Sequence, residues 1–269
     1  MTNTPSKQNS PSLVSGDATS NSLVPHIPLT EYYPDESARH QWVCGVFDRT
    51  AVDYDRIEKI MAFGTGPWYR RQALRRSGLD VGMNVLDVGI GTGLTAVEAV
   101  VLTGDAKRVV GVDPSAGMLA AAKLPEGVRL LEGRAEALPV DDAQFDFVSM
   151  GFALRHVADI HLAFSEFYRA LRPGGRVCVL EITRPKSRFK QWWMKLYMRR
   201  LTPLLARLFG RTREMPQLMR YYWDTIEACV PPEQVIAALS AVGFQQVERY
   251  VELGIFSEYR GIKPNLSDV

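Results

Sequence analysis

The sequence has 269 residues, 46% of them apolar and 23% charged, the make-up of a soluble globular protein rather than a disordered, fibrous or membrane-spanning one. Its 32 Lys and Arg against 30 Asp and Glu leave a net charge of +2, which argues against a dedicated nucleic-acid binder. No apolar run approaches the roughly 20 residues of a transmembrane helix, and no secretory signal is evident; three cysteines without CxxC spacing, Cys44, Cys178 and Cys229, fit a reduced cytoplasmic setting.

Residues 1–30 are rich in Ser, Thr, Asn and Pro and lack periodicity. Such a composition buries too little apolar surface to offset its ordering entropy, so a disordered tail is expected. Over residues 31–78 the pattern turns helical, with Trp42, Val46, Phe47, Ile57, Ile60 and Met61 as apolar positions and Gly64-Thr65-Gly66-Pro67 as a break between two helices. This is the expected N-terminal helical cap. Short runs rich in Val, Leu and Phe then recur at 84–89, 108–112, 128–132, 145–150 and 177–182, as buried parallel strands do. Right-handed crossovers between them place helices on both faces, giving a doubly wound, Rossmann-like α/β sheet within residues 79–269. After Ile182 the alternation stops. Residues 183–213 carry ten Lys and Arg and no acid, interleaved with Trp192, Trp193, Met194, Leu196, Tyr197 and Met198, and a helical lid is expected over about 184–230. Pro231-Pro232-Glu233 starts a helix that Gly243 stops, and runs at 245–253 and 255–262 read as an antiparallel hairpin on the sheet edge.

The most informative stretch is Val85-Leu86-Asp87-Val88-Gly89-Ile90-Gly91-Thr92-Gly93, which ends a strand and opens a helix. Ligands bind at such carboxyl ends of α/β strands, and glycines there allow a tight turn and close backbone approach. A nicotinamide-dinucleotide fingerprint needs GxGxxG, whereas Leu94 follows Gly93 here, so a pyrophosphate cradle is disfavoured. Asp113 ends the next strand, where a carboxylate accepts the hydroxyls of a ribose.

These residues resemble the class I S-adenosylmethionine-dependent methyltransferases: the DxGxGTG loop, Asp113, and the turn Leu171-Arg172-Pro173-Gly174-Gly175. The resemblance narrows to the ubiquinone/menaquinone C-methyltransferase family at Phe47-Asp48-Arg49 through Tyr54-Asp55, at Glu136-Ala137-Leu138-Pro139, at Phe152-Ala153-Leu154-Arg155-His156-Val157, and at Leu180-Glu181 before Arg184-Pro185. It implies S-adenosyl-L-methionine as cofactor. Gly89, Gly91, Thr92 and Gly93 would then face the methionine moiety, Asp87 would belong to the same cofactor-binding set, Asp113 would hold the ribose and Met118 would pack on the adenine. Arg134-Ala135 stands where the family has an Asn or Asp for the adenine amino group; arginine has no acceptor, which leaves the backbone, chiefly that of Ala135. Gly151 replaces a Ser near the cofactor.

The resemblance also implies C-methylation of a prenylated benzoquinol or naphthoquinol, a small lipophilic acceptor. Methyl transfer needs alignment and exclusion of water, and an aromatic carbon acceptor also needs a base. Arg155 is a candidate to stabilise a developing phenolate, or else a structural ion-pair partner of Asp159 or Glu181. His156, where the family has Asn, is a candidate proton acceptor or else a packing histidine. Tyr54 and Asp55 cap the site or simply cap a helix; Tyr221, Tyr222 and Trp223 line a pocket or belong to a core. No HExxH or other ligand spacing occurs, and no metal is expected. The basic aromatic segment 184–213 reads either as a lid touching anionic headgroups at the inner membrane face or as a solvated basic helix; a nucleic-acid partner is not expected, and a homodimer is left open. The rivals are a paralogue methylating another lipophilic or phenolic molecule at oxygen or nitrogen, including a phospholipid amine, then a non-catalytic cofactor binder, and a nicotinamide oxidoreductase.

Overall fold

The computed structural model describes residues 22–265. Five parallel strands, β1 (Val85–Val88), β2 (Val109–Asp113), β3 (Arg129–Glu132), β4 (Phe145–Gly151) and β5 (Leu171–Ile182), are joined by the antiparallel pair β6 (Gln245–Glu252) and β7 (Phe256–Ile262). The sheet order is β3-β2-β1-β4-β5-β7-β6, so the winding reverses at β1 and the loop after it opens a crevice. Every residue of β1 and β2 is buried. Covered on both faces, these strands have no reason to alternate polar and apolar residues.

Nine helices are described: α1 (Glu36–Met61), α2 (Gly66–Arg76), α3 (Leu94–Thr103), α4 (Ala116–Ala121), α5 (Ile160–Ala170), α6 (Arg188–Leu196), α7 (Thr202–Phe209), α8 (Met215–Ala228) and α9 (Pro232–Val242). On one face of the sheet Phe164 and Phe167 of α5 and Leu239 of α9 pack over Val148, Val177 and Val179. On the other, Leu74 of α2 and Ala96 and Ala99 of α3 cover Val85, Phe147 and Leu180. A third apolar cluster lies off the sheet, where Val46 and Ile57 of α1 meet Met219, Tyr221 and Trp223 of α8.

Local chemistry sets the boundaries. Asp35 Oδ1 accepts from the Ala38 N–H at 3.1 Å and starts α1; Pro67 stands in the first turn of α2. Leu253 (φ 52°) and Gly254 (φ 76°) are consecutive left-handed residues joining β6 to β7, the conformation a tight hairpin turn requires. Strand β5 starts six residues earlier than the apolar run at 177–182 indicates. Leu171 pairs with Phe145 and Arg176 with Phe147, and the residues between bulge out through Gly174 (φ 79°).

Residues 22–30 correct the C-terminal part of the expected tail. The Leu23 carbonyl accepts from the Ile160 N–H at 2.9 Å, the Pro25 carbonyl accepts from the Val230 N–H at 2.8 Å, and His26 is buried. Their backbone groups find partners at the starts of α5 and α9, which composition does not reveal. Residues 1–21 lie outside the described residues.

The expected lid consists of α6, a π-helical turn (Tyr197–Leu201), α7 and α8. Pro203 has no N–H to return to the Arg199 carbonyl, and the ladder widens just before it. Asp53 of α1 ties the lid down: its Oδ2 accepts from the N–H groups of Arg211 at 2.5 Å and Thr212 at 2.7 Å. Among the described residues no helix is long and apolar enough to cross a membrane.

Candidate active site

The loop after β1 passes through Gly89 (φ 67°) and Gly91 (φ 56°) to Gly93 (φ 95°), the N-cap of α3. These are backbone conformations that a side chain disfavours, and a Cβ on Gly89 would lie 2.6 Å from that of Ala153. The Gly91 N–H donates to Asp113 Oδ2 at 2.8 Å, and the Ser115 N–H donates to Asp113 Oδ1 at 2.9 Å. Two backbone donors therefore aim the carboxylate at the end of β2. Burial pushes its pKa up to about 6 against those hydrogen bonds, and the charge of Asp48 adds to the rise. Asp48, from α1, accepts from the Ser115 hydroxyl at 2.5 Å and the Gly117 N–H at 2.9 Å, locking the cap onto the loop that carries Asp113.

A cavity of about 370 Å³ opens here. Gly89, Gly91, Asp113, Met118, Arg134, Ala135 and Gly151 line one part of it. A second part is aromatic, with Phe47, Tyr54, Phe152, His156 and Tyr222. Helix α1 adds Ser37, Arg39, His40, Val43 and Cys44 to the wall, residues that no motif singled out. Only the Phe47-Asp48-Arg49 stretch hinted that this helix reaches the site.

Of the cofactor-binding and catalytic candidates, Asp87, Thr92, Gly93 and Arg155 do not line the cavity, and neither do Asp55, Tyr221 and Trp223, the last two belonging to the apolar cluster off the sheet. Asp87 is buried beneath it, accepting from the Ser149 hydroxyl at 2.6 Å, and burial pushes its carboxyl up to about 7. Thr92 is buried, and Gly93 serves as the cap of α3. Arg155 is buried and paired with Glu181, the ion-pair reading of that residue; its guanidinium lies 5.0 Å from the centre of the Tyr222 ring. Gly151 has a packing reason to lack a side chain, because a Cβ there would overlap the Thr95 hydroxyl of α3.

His156 is enclosed. Its ring stacks on Tyr221 with centroids 5.5 Å apart and meets the edge of Phe47 at 5.3 Å. Nδ1 is 3.4 Å from the Tyr221 hydroxyl, while buried Nε2 has no hydrogen-bond partner among the described residues. Burial, with the charges of Arg155 and Arg39, holds its pKa well below the ordinary histidine value, so the imidazole is neutral at pH 7 and keeps a lone pair. The Tyr222 hydroxyl donates to that of Tyr54 at 3.0 Å, joining α8 to α1 across the aromatic wall. Phe152 sits at φ 60°, an uncommon conformation for a bulky residue and one that gathers at ligand sites.

The donor set suits S-adenosyl-L-methionine. Asp113 retains lone pairs for two ribose hydroxyls, Met118 and Ala135 offer apolar contact to a purine, and a Cβ on Gly91 would meet nothing within 4 Å, so the loop backbone is open to the methionine end. Thiol chemistry is disfavoured: burial pushes Cys44 up to about 11 and Cys178 and Cys229 up to about 12. Among the described residues no group of three or more His, Cys, Asp or Glu is placed to hold a metal.

Comparison with known proteins finds relatives over most of the chain. A demethylmenaquinone methyltransferase of Symbiobacterium thermophilum is 37% identical over 241 residues, spanning 86% of this chain and 96% of its own. One of Roseiflexus castenholzii is 34% identical over 242 residues, 87% of this chain and 98% of its own. Among solved structures, a methyltransferase of Thermotoga maritima described as a possible histamine N-methyltransferase superposes with a TM-score of 0.57 at 23% identity, over 81% of this chain and 98% of its own. The [4+2]-cyclase SpnF gives 0.59 at 18%, over 84% and 96%. These two share the fold, and a cyclase among them shows that fold leaves the reaction open. The family model described as the ubiE/COQ5 methyltransferase family matches residues 35–263. The protein is thus an S-adenosyl-L-methionine-dependent methyltransferase, and the chain belongs to the ubiE/COQ5 methyltransferase family.

Proposed function

We propose that this enzyme methylates a ring carbon of a prenylated quinol, a demethylmenaquinol-type naphthoquinol before a benzoquinol, with His156 as the base. The observation that carries the reading is the neutral, buried imidazole in an aromatic wall beside the cofactor loop, its Nε2 without a partner among the described residues. The names of the two relatives, which span nearly their full length, support the naphthoquinol.

When bound, S-adenosyl-L-methionine supplies a methyl group on a positively charged sulfur. A quinol carbon becomes nucleophilic as the neighbouring hydroxyl gives up its proton. The new C–C bond would form as the methyl's C–S bond breaks with its electron pair left on sulfur. The ring hydrogen at that carbon then moves as a proton to the oxygen, restoring the hydroxyl, so that one proton is released in all. With Nδ1–H donating to Tyr221, His156 Nε2 accepts a proton from the acceptor. Phe47, Phe152 and the Tyr54–Tyr222 pair hold a flat ring and keep water from it. Arg155 acts from behind: paired with Glu181, it fixes the Tyr222 face. On this reading the enzyme works in the cytoplasm at the inner membrane face, where a prenylated acceptor resides.

The test is mass spectrometry of quinones from a host lacking its own quinone C-methyltransferase and carrying this chain. Methylated quinone is the expected product. Demethylated precursor accumulating beside soluble, cofactor-binding protein rejects the quinol and leaves the methyltransferase assignment standing. Labelled cofactor in cell extracts then reveals a phenolic oxygen or an amine as the acceptor.

A further inference from the structure

The lid surface has no role in methyl transfer itself, yet its composition is unusual. Two apolar stripes face outward. Phe189, Trp192, Trp193 and Leu196 run at helical spacing along α6, and Leu201, at the end of the π-helical turn, continues into Leu204 and Leu208 of α7, all of them exposed. Beside them a groove of about 710 Å³ is lined by Lys195, Arg199, Arg200, Arg207 and Arg220, with Glu31 as its one acid. Lys195 pairs with Glu227 at 2.8 Å and Arg199 with Asp224 at 3.7 Å. Arg200, Arg207 and Arg220 are exposed and have no carboxylate within ion-pair reach among the described residues.

We propose that α6 and α7 form a docking face for an anionic lipid bilayer, with the stripes entering the headgroup–acyl boundary and the arginine groove holding lipid phosphates. Charge complementarity selects this occupant. Ten cations and no acid in residues 183–213 suit a polyanion, and the exposed aliphatic and indole side chains suit hydrocarbon, a pairing that neither nucleic acid nor free phosphate satisfies. A helix lying in the interface buries its apolar face and keeps its cations at headgroup level. The docked face is continuous with the site through α8, which begins six residues after α7 ends at Phe209 and carries Tyr222 into the cavity wall. The inference does not depend on which acceptor is methylated.

The test uses the full chain with saturating S-adenosyl-L-methionine, sedimented with vesicles of phosphatidylcholine alone or mixed with phosphatidylglycerol. Partition is expected to be about tenfold or more stronger on the mixed vesicles and to fall with salt. Arg200→Glu/Arg207→Glu is expected to weaken that binding about thirtyfold or more, each cation near the surface contributing independently and each new carboxylate adding repulsion. Trp192→Ser/Leu204→Ser is expected to weaken binding while leaving thermal stability intact, since both positions are exposed. Equal partition on the two lipids, or charge variants that bind like the parent, overturns the proposal. So does light scattering that shows a stable dimer broken by Trp192→Ser/Leu204→Ser, since the face then covers a second copy. Turnover of a short-tailed, water-soluble quinol separates the two readings: its persistence in the charge variants leaves the acceptor assignment untouched whatever the vesicles show.

Discussion

His156, Arg155 and Asp87 show how far a side chain's position decides its chemistry. His156 is neutral because burial and two nearby guanidinium groups hold its pKa well below the ordinary value. The turnover of the saturated enzyme should therefore show no acid limb near pH 6.5 from this residue. His156→Ala is expected to lose about 10²–10⁴ in kcat with cofactor affinity kept, measured by calorimetric titration beside the rate. Cofactor affinity has its own limb: Asp113 is ionised above about 6, and affinity should fall as the carboxylate protonates below that pH, read from the same titration repeated between pH 8 and 5. Asp87 behaves differently. Its folded pKa of about 7 stands above the ordinary 3.8, so the stability it contributes is full below the ordinary value and lost as pH rises through 7. Asp87→Asn should then raise the melting temperature more at pH 8 than at pH 5, with roughly 1.4 kcal/mol at stake per unit of that window. Arg155 is the residue the sequence left between two roles, and its partner Glu181 decides for structure. Arg155→Met is expected to cost about 3–5 kcal/mol in urea unfolding, and Arg155→Met/Glu181→Leu to recover most of it, because the single change leaves a buried charge alone.

The strands were readable because parallel strands covered on both faces are plain Val, Leu and Phe runs, and the loop after β1 because its turn demands glycine. The bulged start of β5 was not, since Pro173-Gly174-Gly175 reads as a turn and only pairing with Phe145 makes Leu171 part of the strand. The pleat also explains Asp87: a motif names it, but its side chain points to Ser149 of the neighbouring strand rather than to the cavity. Asp48 was missed as a site residue because its bonds to Ser115 and Gly117 join positions 67 and 69 residues apart, and no local pattern records such docking. Gly151 is a similar case. It looks like a missing cofactor contact and proves to be the space that Thr95 fills. Gly151→Ser is expected to destabilise by about 1–3 kcal/mol through overpacking, and adding Thr95→Ala to restore much of the loss, both read from thermal melts.

The cofactor wall belongs to the loops of the sheet, whereas α1 and α8 close over it from an apolar cluster of their own. Ligand binding stabilises what it touches. Saturating S-adenosyl-L-methionine should thus slow hydrogen exchange in α1 and in the loop after β2 far more than in α9 or β6, which lie away from the cavity. The two-part construction has an evolutionary reading. Because α1 and α8 pack against each other and meet the sheet mainly around the cavity, substitutions on their inner faces can reshape the acceptor pocket while the glycine loop and Asp113 stay as they are. A lineage can in this way change what it methylates without relearning how to hold the methyl donor, and His156 facing Tyr221 is where such a change would be written first.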